Sequence, residues 1–279
     1  MFSETETSAG NIGASRRGRR RRMLSIRSAS EVASAMDSIA DLTSQSDPDE
    51  ARPATVESTT PREAIKAAPT SFASDRDRIQ ELLDDVHPRT WVFTGDNLGF
   101  EVQQARRGWI EHFSDFVHEK LQRKHDIILN SSLADSTIDH LLNDIEWRIL
   151  RFQPDVVLLM PSADECAERG ADDEFRETLQ QLTDRLHEEG CLVVLNAPPC
   201  PANTSQPATR TMKTAASRIR AVATQTGAVL ADHFSYWQAT IQRDGTNVNL
   251  HEESGRQPSA RGHRELARRL LKSLNVRSS

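Results

Sequence analysis

Apolar positions are organised from about residue 76 onward and scattered before it. Ile79, Leu82, Leu83 and Val86 recur at helical spacing and stop ahead of Pro88, whose ring would break a helix. Thr90-Trp91-Val92-Phe93-Thr94 is a short β-branched and aromatic run, which predicts a strand opening onto Gly95-Asp96-Asn97. The alternation then repeats. Trp109, Ile110, Phe113, Phe116, Val117 and Leu121 mark a helix, and Asp126 to Asn130 a strand. Ile138, Leu141, Leu142, Ile145 and Ile149 mark the next helix, and Asp155 to Met160 the next strand. A helix carrying Phe175, Leu179, Leu182 and Leu186 ends at Gly190, which suits a left-handed C-terminal cap, and Cys191 to Asn196 is the fourth strand. A Pro-rich loop, Ala197 to Pro207, leads to a helix around Met212, Ala216, Ile219 and Val222, a fifth strand at Ala228 to Ala231, and a last helix near Pro258 to Leu274. Strands alternating with helices in this way predict an α/β fold whose parallel sheet is covered on both faces. Ligands of such sheets bind beyond the carboxyl ends of the strands.

Residues 1–75 read differently: rich in Ser, Thr, Asp and Pro, they hold too little apolar surface to offset the backbone entropy of folding, and a disordered tail is expected. Val32, Met36, Ile39 and Leu42 keep helical spacing and predict at most a short, transient helix. The expected organisation is therefore a tail over 1–75 and one domain over 76–279.

Charge narrows the function classes. With 41 acidic against 35 basic residues the net charge is −6, so no broad polyanion-binding face is suggested and nucleic acid would need a local basic patch. The cluster Arg16 to Arg22 is one candidate contact for a protein or an anionic partner. No apolar stretch follows it as a signal peptide requires, and no run approaches a membrane span, so the expected compartment is the cytoplasm. Cys166, Cys191 and Cys200 lack zinc-ligand spacing and cannot all pair, so neither a structural metal nor a disulfide framework is implied.

The four expected strand-end loops carry Thr94-Gly95-Asp96-Asn97-Leu98, Asn130-Ser131-Ser132-Leu133-Ala134-Asp135, Pro161-Ser162-Ala163-Asp164-Glu165-Cys166 and, before the last helix, Gln257-Pro258-Ser259-Ala260-Arg261-Gly262-His263. In this order, over roughly residues 88–274, the text resembles the SGNH (GDSL) hydrolase superfamily. The resemblance implies a three-layer α/β/α, flavodoxin-like fold with a five-stranded parallel sheet. It also implies ester hydrolysis by a serine nucleophile, a histidine base oriented by an aspartate, and oxyanion donors that include a glycine in the second block and an asparagine in the third.

Carried onto this sequence, the nucleophile position is Asn97, the second-block glycine Asp135, the third-block asparagine Asp164, the aspartate Ser254 and the histidine Gln257. An alignment shifted by one would put Ala163 at the asparagine position, again without a donor. No catalytic residue is then intact. Loss of one oxyanion donor alone costs about 10²–10³ in rate, and acyl transfer needs a hydroxyl within reach of an imidazole. The reading is a hydrolase-fold protein, catalytically inactive, that binds a ligand or partner at the former cleft through Asp96, Asn97, Asp135, Asp164 and Gln257. The alternative is an active esterase with relocated groups, His251 or His263 serving Ser131, Ser132 or Ser162. A third reading makes the domain a scaffold whose tail carries the interaction. Cys166 and Cys200 are expected to be buried and inert. No cofactor is implied; the acidic cluster suits a hard cation less well than it suits a neutral polyol or sugar-like ligand, or an empty cleft.

Overall fold

A computed structural model describes residues 74–95, 98, 107–202, 207–244, 250–252, 255 and 257–276, all within the compact unit Thr59–Ser279. The expectations for the tail, including Arg16 to Arg22 and the Val32–Leu42 helix, lie outside the described residues, as do Asp96, Asn97 and Ser254.

The described elements run α1 (Asp75–Asp84), β1 (Thr90–Gly95), α2 (Trp109–Asp115, continuing as a π-turn through Phe116–Lys120), β2 (Ile127–Asn130), α3 (Ile138–Asn143), α4 (Ile145–Arg148), β3 (Val156–Met160), α5 (Ala163–Glu168), α6 (Asp173–Glu188), β4 (Leu192–Ala197), α7 (Pro207–Thr226), β5 (Val229–Asp232), α8 (His233–Asp244) and α9 (Ala260–Ser273). All five strands are parallel, in the order β2-β1-β3-β4-β5. That is the flavodoxin-like order, whose switch point lies between β1 and β3. Helices α2, α8 and α9 pack on one face of the sheet, and α3, α5, α6 and α7 on the other.

The strands at the sheet's centre are apolar because both faces are covered. Every residue of β3 and β4 is buried, whereas the edge strand β2 leaves Ile127 about half exposed. Phe93 meets Trp109 and Phe113 edge-on at ring separations of 5.1 and 5.2 Å, and Trp91 meets Phe113 at 5.5 Å, which seats α2 on β1. At the amino ends of the strands, Asp75 of α1 accepts from the Val193 amide at 2.9 Å and from His187 at 2.7 Å. It thereby supplies the partner that β5, which begins pairing only at Val194, does not.

Several expectations need correction. Val86 belongs to no helix and is 89% exposed, because α1 ends at Asp84 and the chain is extended at Asp85, three residues ahead of Pro88. The single helix expected over Ile138–Ile149 is two helices, broken at Asn143-Asp144, residue types that compete with the helix for backbone hydrogen bonds. Helix α8 was not foreseen. Among the described residues no helix is long and apolar enough to cross a membrane.

Candidate functional site

The carboxyl ends of β1, β2 and β3 lie side by side at one end of the sheet, and the loop ahead of α9 is tied to the segment after β4, where the Ala202 amide donates to the Gly255 carbonyl at 3.3 Å and His251 meets the Cys200 carbonyl. Gly95 closes β1 with φ of 109°, and a Cβ there would collide with the Met160 carbonyl oxygen, so β1 and β3 approach closely only because this residue is glycine. The loop after β2 hangs on the end of β1. The Ser131 amide donates to the Phe93 carbonyl at 2.8 Å, and the Asn130 side chain accepts from the Ser132 amide at 3.0 Å.

That loop turns at Asp135, whose φ is 57°. Left-handed backbone costs a residue with a Cβ, and Asp and Asn tolerate it better than most. The position has the conformation a glycine adopts freely, with an exposed carboxylate added. Arg148, reaching from α4, fixes the loop by donating to Ser136 Oγ at 2.6 Å and to the Ser131 carbonyl at 2.9 Å, and burial pulls its pKa below the usual arginine range. Sequence reasoning passed over Arg148; nothing in its spacing distinguishes it from a surface arginine.

After β3, Ser162 caps α5 by accepting from the Glu165 amide at 3.3 Å. The Glu165 side chain is buried and both its oxygens accept from the Ile138 amide, at 3.1 and 3.2 Å, so it caps α3 and ties the third block to the second. Glu165 therefore holds the scaffold, while Asp164 beside it is exposed. Asp135 and Asp164 lie beyond β2 and β3, on either side of β1, and both face solvent, which screens their repulsion. Among the described residues no group of three or more His, Cys, Asp or Glu is placed to hold a metal ion.

The last loop doubles back on itself before α9. The Glu252 amide donates to the Gln257 carbonyl and the Ser259 amide to the Leu250 carbonyl, both at 2.9 Å, and His251 bridges to Pro258. Gln257 is half-buried at this turn. Gly262 allows the fit, since a Cβ would strike the Leu250 carbonyl.

Of the histidines and serines weighed as a relocated pair, His251, Ser131 and Ser162 are held by backbone groups, while His263 is buried with its Nδ1 unpartnered among the described residues. His251 is buried and its Nε2 donates to the Cys200 carbonyl at 3.0 Å. His263 is buried on the first turns of α9, where burial, with a smaller effect of the nearby His112, holds its pKa down to about 4. Ser131 Oγ donates to the Phe93 carbonyl and Ser162 Oγ serves the α5 cap. The three cysteines are buried thiols, and burial pushes Cys200 up to about 11, which leaves it protonated and unreactive at neutral pH.

Sequence reasoning also missed His233, fully buried at the start of α8 against Trp109 and Trp237. The Asn196 amide donates to the Leu159 and Val194 carbonyls, so its Oδ1 accepts from His233 Nε2 at 3.2 Å and fixes a neutral imidazole. Burial, with a smaller contribution from Arg269, depresses its pKa to about 3.

These two histidines set a pH dependence. In the unfolded chain each takes up a proton near pH 6.5, while the folded protein resists until about pH 4 or 3. Between those limits the unfolded chain binds more protons, so stability is full above about pH 6.5 and falls as the pH drops toward 4. Urea unfolding at pH 7.5 and pH 5 should show the loss, at up to about 1.4 kcal/mol per pH unit for each histidine. In His263→Leu the decline should be shallower; an unchanged slope would remove His263 from the account.

Residues 93–265 match the family model of the GDSL-like Lipase/Acylhydrolase family. The chain belongs to this family. Similar solved structures include Axe2, an acetylxylan esterase from Geobacillus stearothermophilus, at 20% identity and a TM-score of 0.59, covering 68% of this chain and 97% of that one. Another is the acetyl xylan esterase AlAXEase, at 17% identity and a TM-score of 0.58, covering 66% and 98%. Identities this low speak for the fold alone. No curated protein matches the sequence.

Proposed function

We propose that this chain is a non-catalytic member of its family that binds a neutral polyhydroxy ligand at the strand-end cleft, with Asp96, Asn97, Asp135, Asp164 and Gln257 as the groups that meet it. The supporting observation is the fate of the hydroxyls. Ser131 and Ser162 direct their oxygens to backbone groups, His251 is engaged with a carbonyl, and Gln257, which cannot serve as a base near neutral pH, precedes Pro258 where the family has histidine. The exposed carboxylates of Asp135 and Asp164 suit hydroxyl groups, and the structural neighbours are named for an acetylated polysaccharide.

A fluorophosphonate probe and a panel of acetyl esters test the inactive half of this reading. The expected result is no covalent labelling and no hydrolysis above background. Stoichiometric labelling would overturn it in favour of the relocated esterase, and the labelled serine would be the nucleophile. Thermal melting with xylo-oligosaccharides tests the binding half, since a ligand taken up only by the folded state raises the midpoint by mass action. No shift at millimolar ligand removes that ligand class.

A further inference from the structure

Helix α9 presents Arg261, Arg264, Arg268 and Lys272 to solvent. At 100° per residue these four fall within an arc of about 80°, rising about 4.5–6 Å from one to the next. Only Arg268 is neutralised on the helix itself, by Glu265 at 2.7 Å. Arg261, Arg264 and Lys272 form no ion pair among the described residues, as Arg76, Arg151, Arg210 and Lys213 also do not; what sets α9 apart is the row of four cations along one helix face.

The helix's own electrostatics do not account for the stripe. A cation at the carboxyl end is favourable, which explains Lys272, but Arg261 and Arg264 stand in the first two turns, where the dipole disfavours them; Glu265 and Asp244 offset Arg261 in part, and no acidic residue stands in the first turn itself. On the neighbouring α2, Arg107 and Arg264 bear on His112 against the opposing Asp115 and Glu111, and Arg107 is paired with Asp115 at 2.6 Å, which leaves Arg264 as the unpaired cation there. A chain of net charge −6 thus concentrates cations on one helix face.

We infer that this face of α9 is a phosphate-binding stripe that engages the backbone of double-stranded nucleic acid without reading its sequence. From Arg261 to Lys272 the row spans about 16.5 Å, about five nucleotides at about 3.4 Å of rise per strand, with three of its cations free to meet phosphates. The surroundings choose between polyanions. None of the large apolar side chains exposed among the described residues, Val86, Ile127, Leu133 and Trp147, lies on α9 or α2, so no wedge is present for a lipid surface. Tyr236 is half-buried beneath the Arg269 guanidinium at 4.7 Å, so it offers no open ring on which an unpaired base could stack. A duplex backbone needs neither.

The test compares four full-length proteins for binding a labelled duplex of about 20 base pairs over a salt titration. They are the wild type, Arg261→Gln with Arg264→Gln and Lys272→Gln, a control of equal charge change elsewhere (Arg76→Gln, Arg210→Gln, Lys213→Gln), and a chain whose arginines between Arg16 and Arg22 are glutamine. All substituted positions in the domain are exposed, and matching thermal melts verify the fold. The stripe variant should bind at least about tenfold more weakly at 0.1 M salt, and its slope of log K against log salt should fall by about 2.7, at 0.9 per phosphate contact. The control should keep the wild-type slope, and the tail variant should keep the part that the stripe supplies. A stripe variant indistinguishable from the control overturns the assignment. So does wild-type protein that ignores the duplex at low salt yet binds phosphatidylserine vesicles.

Discussion

Asp126→Ala should cost about 3–5 kcal/mol of unfolding free energy, the largest loss expected from any single truncation at the amino end of the sheet. The Asp126 side chain is buried and receives three donors: the Arg89 amide at 3.1 Å, the Trp91 indole at 2.9 Å and Arg123 Nε at 2.8 Å. Arg123 in turn donates to the carbonyls of Leu83, Asp85 and His87. One carboxylate thus joins the end of α1, the start of β1 and the start of β2. Truncation leaves a buried guanidinium, an indole N–H and an amide without their acceptor, and the penalty for stranding them exceeds what forming the bonds contributes. Asp126→Asn keeps an acceptor but loses the charge and should cost less, about 1–3 kcal/mol. Urea unfolding measures both; a loss below about 1 kcal/mol for the alanine variant would mean that the clamp rearranges around water. A cleft of about 270 Å³ lies beside it, lined by Leu83, Pro88, Leu121 and Lys124 among others, and hydration of that cleft is the route by which such a rearrangement would proceed.

The strands were legible because burial on both faces forces continuous Val, Ile and Leu runs, and each expected start lies within about a residue of its observed one. Helices were legible where one face is apolar and the interior residues are good formers, as in α6 and α9. Helix α8 fails that test. His233, Phe234, Tyr236, Trp237, Thr240 and Ile241 are poor formers, and tertiary burial of Phe234 and Trp237 sets its conformation instead. The site divides along the same line. Asp135 and Asp164 could be placed from motif order because their loops are short and follow strands, whereas Gln257, in the longer connection between α8 and α9, was placed only by its neighbours Pro258 and Gly262. Arg148, Glu165 and Asp126 act across 12 to 37 residues of sequence, on backbone groups as well as side chains, and a backbone acceptor leaves no residue type for a pattern to find.

If the strand-end positions are those of a former hydrolase, catalysis should return in steps and in a fixed order. Asn97→Ser alone should give no detectable acylation, since a serine without a base is not activated. Adding Ser254→Asp and Gln257→His supplies the base and its orienter, and the backbone around residue 257 is already held by the Glu252 and Ser259 amides. This triple variant should label slowly with a fluorophosphonate and hydrolyse activated esters weakly. Asp135→Gly and Asp164→Asn come last. The first keeps a φ of 57° that glycine adopts without strain and removes a carboxylate that would repel an oxyanion; the second puts a carboxamide donor on the exposed first turn of α5. Each should raise the acylation rate, the Asn substitution by about 10²–10³. The backbone at Asp135 makes the first of these structurally quiet, so its melting temperature should hold or rise. A five-fold variant that melts like the wild type yet never labels would show that these loops do not converge on one reaction centre, and the binding role proposed for them would lose its geometric basis as well.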